Sequence, residues 1–456
     1  MRSLDDPLVM TYTQLEELGQ TVPIDGYRHA TAAIDPAGVA LLVYTSGTTG
    51  PPKAAMLSHE NLMATAKAFS ALFEVGPDDE VLSYLPLCHV AERLISTADA
   101  LYAGYTVNFG EGGESFIADL REVQPTFFLG VPRVWEKMLG SIQIRMADAS
   151  WIKRRVYRRW MKRGERLARK RMAGSMSIVD RAVYGLGWLL LYRSLRQKLG
   201  LLRVRVAVSG AAPIAPQVLE FFWAIGVPVR EGYGQTENTA LATYMPKGDV
   251  RIGKVGKVVP GVELRIAPDG EILTRSPAVF LGYFKNEEAT REAIDAEGWL
   301  HTGDVGELDD DGFLSITDRK KDIIITAGGK NISPSFIENK LKVSPFVREA
   351  IVIGDRRKHL AALIGIELDT VGNWATRLKI PYTTYRDLVQ KAEVRQLVQK
   401  WVDEVNTELA QAEQIKRFEL LPKELDPEEG ELTATQKVKR RAIEQEFAEL
   451  IEGMYR

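Results

Sequence analysis

The sequence predicts an α/β protein, with a large N-terminal α/β domain that carries a small antiparallel β subdomain and is hinged to a small α+β C-terminal domain. Three observations predict it. Short apolar strand patterns alternate with helical stretches through the first half. Beyond Lys254 two alternating runs turn on Asp-Gly, the signature of hairpins. The charged pentapeptide Asp318-Arg319-Lys320-Lys321-Asp322 then separates a last unit with strands and helices of its own. At 456 residues the chain exceeds one ordinary core, so more than one domain is required.

Taken in order, Val39–Val43 reads as a buried strand and Ser58 as the cap of a helix over Asn61–Phe73. Strands follow at Val81–Leu87, Thr126–Val131 and Val204–Gly210, giving a largely parallel sheet. Val262–Ile266 with Glu271–Arg275, and Val305–Leu308 with Phe313–Thr317, form the hairpins of a β subdomain over residues 254–317. The large domain is assigned to 1–317, the hinge to 318–322 and the small domain to 323–456. In that small domain Ile323–Thr326 is a strand, and Ser333-Pro334 is the preferred order for a helix start. Ala350–Ile353 and Ala361–Glu367 supply two more strands. A basic helical insertion is expected over residues 140–200, and no internal repeat is visible.

Tyr44-Thr45-Ser46-Gly47-Thr48-Thr49-Gly50-Pro51-Pro52-Lys53 is the most informative run. Two glycines and four hydroxyl residues between a strand and a helix make a loop whose backbone N–H groups can face an anion. Lys53 adds a positive charge, so the loop has the chemistry to hold a polyphosphate. It is not a Walker A motif, because Gly47 and Gly50 are too close and two prolines precede Lys53.

Composition excludes other classes. A net charge of −2 gives no global drive towards nucleic acid or membrane. The single cysteine, Cys88, cannot form an internal disulfide and fits a reducing compartment. The five histidines show no metal-ligand spacing. Cys88 and His89 are neighbours in an extended segment and point to opposite faces, which suits no nucleophile–base pair. The polar start lacks an apolar h-region, and the run Ala182–Leu191 is too short to span a bilayer, so a cytoplasmic location is expected.

Four later segments narrow the reaction. In Glu231-Gly232-Tyr233-Gly234-Gln235-Thr236-Glu237 the glycines permit a tight bend, Tyr233 offers a flat face for a base, and Glu237 a carboxylate for a hard divalent ion. His301-Thr302-Gly303-Asp304 supplies an aspartate, the residue type by which other folds read a ribose. Thr326-Ala327-Gly328-Gly329-Lys330-Asn331 carries a glycine pair that lets the backbone approach a ligand. Gly430–Arg440 presents lysines in a polar loop ahead of a basic helix.

With these motifs in this order, the chain from residue 38 onward resembles the adenylate-forming superfamily of acyl-CoA synthetases, luciferases and peptide-synthetase adenylation domains. Pro86–Arg93 and Gly130–Lys137 are similar in wording to the long-chain fatty acid group. The resemblance implies Mg²⁺ and the substrates ATP, CoA and a long-chain fatty acid. It assigns catalytic roles to Lys437, Thr236, Glu237 and His89, with Lys439 as the alternative reaching lysine and Glu237 as the metal ligand. Thr45, Ser46, Gly47, Thr48, Thr49, Gly50 and Lys53 would hold phosphates. Gly210, Ala211, Glu231, Gly232 and Tyr233 would also bind the nucleotide, with the adenine stacked on Tyr233, Asp304 and Arg319 at the ribose, and Gly328 and Gly329 beside the pantetheine channel. The implied activity is fatty acid–CoA ligation through acyl-AMP. Alternatives are a truncated, non-catalytic nucleotide- or acyl-binding homologue, or an acyl-AMP ligase serving a carrier protein.

Two features stand apart. Trp151–Arg171 carries eleven Lys/Arg against one acid, with Trp151, Tyr157 and Trp160 among them. On a helix this suits peripheral contact with an anionic membrane; no nucleic-acid motif accompanies the charge, so no nucleic-acid partner is expected. The phosphate loop also begins at residue 45, so the large domain is expected to lack its usual N-terminal portion and to expose apolar surface.

Overall fold

A computed structural model describes residues 10–45, 52–113, 115–426, 429–433 and 438–456. Phe127–Gly130, Val206–Ser209 and Val229–Tyr233 lie side by side as parallel strands, with Phe127 opposite Val206 and Ala207 opposite Val229. Their runs are apolar because both faces are covered. Phe128, Ala207 and Val229 point towards the helices Pro132–Ala147 and Pro216–Ala224, around Trp135 and Phe222. Phe127, Val206 and Val208 point the other way, onto Phe69 and Phe73 of the helix His59–Phe73. That helix opens with a reciprocal capping box between Ser58 and Asn61.

The sheet continues with the antiparallel strands Thr243–Tyr244 and Lys257–Val258. Glu80–Ser83 and Thr106–Phe109 form a separate parallel pair. Thr126 joins it to the main sheet, its hydroxyl accepting from the Glu80 N–H at 2.9 Å and donating to Asp79 at 2.6 Å. On the outer side Leu101 and Phe109 are exposed.

Both predicted hairpins occur within one four-stranded antiparallel sheet. Its first pair is Glu263–Ile266 with Glu271–Arg275, where Ile266 faces Ile272 across the Asp-Gly turn. The second is longer than expected, Leu300–Leu308 with Leu314–Arg319. Asp304 pairs with Arg319 and Val305 with Asp318, so strand structure runs into the residues assigned to the hinge. A further hairpin, Val39–Thr45 with Lys53–Ser58, flanks the phosphate loop and accepts Gly282–Tyr283 as a third strand.

The C-terminal unit has its own core. Val347–Ile353 pairs antiparallel with Leu360–Ile366, which pairs parallel with Ile415–Leu420. This last strand is not evident in the sequence, because its charged residues Lys416, Arg417 and Glu419 break the apolar run. Ser333 precedes the helix Pro334–Lys342 as expected, but its hydroxyl makes no cap bond. It donates instead to the Thr317 carbonyl and to Asp318, tying the helix start to the end of the large unit's sheet.

The basic segment forms the helix Trp151–Met172. Its apolar side, with Trp160, Met161, Leu167, Ala168 and Met172, is buried. At Gly164 it meets the helix Pro216–Ala224 so closely that a Cβ would stand 2.6 Å from the Ala224 carbonyl oxygen. Of the three aromatic residues proposed to face a membrane, only Trp151 is exposed. No helix among the described residues is long and apolar enough to cross a membrane.

Candidate adenylation site

The site gathers at the C-terminal ends of the parallel strands, where open α/β sheets form their binding crevice. The strand Val229–Tyr233 delivers Tyr233, and the turn beyond it delivers Thr236 and Glu237. Gly234 makes the bend possible: a Cβ there would fall 2.2 Å from the Ala240 carbonyl carbon. The neighbouring strand ends at Gly210 and Ala211; Ala211 has a positive φ of 71° and Gly210 lies against the Gly232 carbonyl.

Tyr233 donates its hydroxyl to Asp304 Oδ2 at 2.7 Å, and Arg319 Nε lies 3.1 Å from Asp304 Oδ1. Burial and the Asp304 carboxylate both push the Tyr233 hydroxyl well above its ordinary pKa, so it stays a donor. Burial alone would lower the Arg319 guanidinium, but Asp304 and then Glu237 outweigh it and raise it. Asp304 is held from behind: its N–H donates to the Thr302 hydroxyl, and the Gly303 N–H donates to Glu271 at 2.9 Å. Glu271 itself is pulled below its usual range despite burial, by Gly303 and Lys320.

Glu237 also acts on the Arg319 guanidinium through its charge. Tyr283 donates its hydroxyl to Glu237 Oε1 at 2.6 Å, and the Lys53 ammonium sits 5.0 Å from the centre of the Tyr283 ring. Among the described residues no Lys or Arg forms an ion pair with Glu237. A carboxylate with no cation paired to it among the described residues, beside the end of a phosphate loop, is a donor suited to a divalent ion shared with phosphate oxygens. Residues 53, 233–237, 283, 304 and 319 thus form one cluster.

Other expected site residues lie elsewhere. Glu231 is buried and its carboxyl is raised to about 8 by burial, against one backbone N–H from Gly253. His89 caps the short helix Val90–Arg93, its Nδ1 accepting from the Ala91 N–H. Gly328 and Gly329 form an exposed turn closed between Thr326 and Lys330, with Ala327 N–H donating to the Arg357 carbonyl of the same unit. Thr45 donates to the Lys53 carbonyl across the base of the phosphate loop. Ser46, Gly47, Thr48, Thr49, Gly50 and Lys437 lie outside the described residues. Lys439, the alternative, donates its backbone N–H to the Glu431 carbonyl, and Arg440 beside it anchors to Glu338 and the Val352 carbonyl, each at 2.7 Å.

The AMP-binding enzyme model matches residues 3–284, and the AMP-binding enzyme C-terminal domain model matches residues 321–456. The chain belongs to the AMP-binding enzyme family. It is 37% identical over 445 residues to the long-chain-fatty-acid–CoA ligase FadD15 of Mycobacterium tuberculosis, covering 97% of this chain and 73% of the relative. The long-chain-fatty-acid–CoA ligase ACSBG1 of Bos taurus is 34% identical over 479 residues, covering 98% and 66%. Among solved structures, the adenylation domain of a carboxylate reductase from Mycobacterium chelonae matches with a TM-score of 0.68 at 24% identity, covering 97% of this chain and 66% of that one. That likeness shows the adenylate-forming fold.

Two residues of this AMP-binding enzyme were not evident as site residues from sequence. Tyr283 sits in a short strand with no catalytic residue pattern around it, and only its pairing with Ala55 carries it to Glu237. Glu271 reads as an ordinary strand residue after a turn, and only the sheet brings it beneath Gly303.

Proposed function

We propose that this chain is a long-chain fatty acid–CoA ligase, which joins a fatty acid to ATP as acyl-AMP and then transfers the acyl group to CoA. The gathering of Lys53, Tyr233, Glu237, Tyr283, Asp304 and Arg319 supports the reading, because these residues come from separate stretches of the sequence and suit phosphate (Lys53), base (Tyr233), metal (Glu237, with Tyr283 behind it) and ribose (Asp304 and Arg319). Relatives named as long-chain fatty acid–CoA ligases support the substrate class.

In the first step a fatty carboxylate oxygen attacks the α-phosphorus and the bond to pyrophosphate breaks. Both reactants are anionic, so positive charge and in-line positioning are the requirements. Residues 45–53 are assigned the β- and γ-phosphates, and Thr236 and Lys437 the charge around the α-phosphate. Glu237 would hold Mg²⁺, which supplies neutralisation of phosphate charge when bound. Asp304 would accept from the ribose hydroxyls, with Arg319 beside it. In the second step the small domain turns about residues 318–322, and the Gly328-Gly329 turn replaces Lys437. The CoA sulfur attacks the acyl carbonyl carbon and AMP leaves, so no protein nucleophile is needed. Peripheral contact of residues 151–171 with anionic membrane belongs to the same reading.

ATP–pyrophosphate exchange with a panel of fatty acids tests it. Exchange dependent on a long-chain acid is expected; none with any acid would favour a non-catalytic binding protein. Lys437→Ala should lower acyl-AMP formation by roughly 10²–10³, the scale of one lost electrostatic stabiliser. Thioester formation from supplied acyl-AMP should survive, and equal loss of both steps would refute the assigned domain swing.

A further inference from the structure

The basic helix Trp151–Met172 has spent its own apolar side on the core, yet a second helix beside it has not. Ile178–Gly187 and the π-helical turn Trp188–Tyr192 run alongside it. Lys170 pairs with Asp180 at 2.8 Å, the Arg171 guanidinium stacks 4.1 Å from the Tyr184 ring, and the Tyr192 hydroxyl donates to the Trp160 carbonyl. The inner residues Val183, Tyr184, Trp188, Leu191 and Tyr192 pack on the core. The outer face is apolar and open: Ile178 is 85% exposed, Val179 71%, Leu186 51%, Leu189 73% and Leu190 55%. Nine of the eleven cations of the neighbouring basic helix are exposed, among them Lys170, which pairs with Asp180.

We propose that the outer face of Ile178–Tyr192, flanked by the exposed cations of Trp151–Met172, is a docking surface for an anionic phospholipid bilayer. The apolar stripe enters the acyl boundary while the neighbouring cations meet lipid phosphates, a division that single interfacial helices make between their two faces. Charge complementarity selects this occupant. A second copy of the chain docked on the same face would set two strongly cationic helices against each other, which like-charge repulsion disfavours. A bilayer carrying anionic headgroups satisfies the stripe and the cations together. The proposal rests on the membrane contact read for residues 151–171 and is independent of the ligase chemistry.

The test is flotation of the full chain with phosphatidylcholine vesicles, with and without phosphatidylglycerol, at low and high salt. The wild-type chain should float only with the anionic vesicles. The double variant Leu186→Asp/Leu189→Asp, at two exposed positions, should lose at least roughly tenfold in vesicle binding. Arg154→Glu/Arg158→Glu should lose binding at low salt. Unchanged circular dichroism and unchanged ATP–pyrophosphate exchange in each variant separate lost docking from lost folding or lost catalysis. If the leucine variant binds anionic vesicles as well as wild type, the apolar stripe is not the docking element, while the contact of 151–171 stands. If wild type binds no vesicles, both fall. A wild-type dimer that the leucine variant dissociates, without vesicle binding, would instead make the face an interface between copies.

Discussion

Tyr283 joins two charged groups that sequence keeps far apart. Its hydroxyl orients Glu237 and its ring receives Lys53. Tyr283→Phe keeps the ring and removes one hydrogen bond to a charged group, worth about 1.5–3 kcal/mol. Single-turnover acyl-AMP formation should therefore fall by roughly tenfold or more, with a raised Mg²⁺ requirement; an unchanged Mg²⁺ dependence would remove Tyr283 from the site. Glu231 carries a different consequence. Burial raises its carboxyl from the ordinary carboxylate range to about 8 in the folded chain. The folded state therefore holds a proton that the unfolded state has released across that window. Stability from this group is complete below the unfolded pKa and is lost as pH rises through the folded one, at up to about 1.4 kcal/mol per pH unit. Glu231→Gln should flatten the pH dependence of the melting temperature in that range and raise stability above it. The same slope in both proteins would show that the carboxyl is not buried neutral.

At the scale of elements, the turn after Val229–Tyr233 decides whether the site assembles. Gly234 passes against Ala240, and the residues that follow, Thr239 and Ala240, take positive φ values of 51° and 71° to return the chain. Gly234→Ala puts a methyl group into backbone that has no free side chain to move. Overpacking of this kind costs about 1–3 kcal/mol, and here the strain falls between Tyr233 and Glu237. Nucleotide affinity measured by calorimetry should drop more than the melting temperature does; full affinity would mean that the turn adapts elsewhere. The sheet that delivers Asp304 works by the same logic, since its pairing with Arg319 places acid and base side by side at the end of one hairpin.

Across the whole molecule, the two units touch at the helix Pro132–Ala147. Arg133 pairs with Glu367 and donates to the Arg348 carbonyl, and Arg377 reaches Asp148 at 2.7 Å. Burial raises the nearby Glu136 and Glu349 carboxyls, partly offset by Lys342 and Arg133. Arg133→Ala leaves Glu367 without this partner and weakens docking by roughly 1 kcal/mol, about a fivefold change in population. Small-angle scattering should report a more extended average shape, and the balance between the two half-reactions should shift. Identical scattering would mean that the remaining contacts suffice.

The residues alone determined most of the elements around the site, but not the strand Lys53–Ser58, which follows the phosphate loop where a helix start is expected. The run Tyr44–Lys53, the bend Glu231–Glu237 and the aspartate of His301–Asp304 carry local chemistry, because glycines, hydroxyls and carboxylates act through spacing a few residues long. The buried runs at Phe127 and Val206 are equally legible, since a strand covered on both faces must be apolar throughout. The tertiary structure alone decided which charges meet. Tyr283 reaches Glu237 only through strand pairing, and Glu271 reaches Gly303 only through the sheet. The basic helix shows the same limit most plainly. Its cations were visible in sequence, but whether its apolar side faced core or solvent was not, because that depends on Gly164 meeting Ala224 and on which neighbouring helix is left uncovered.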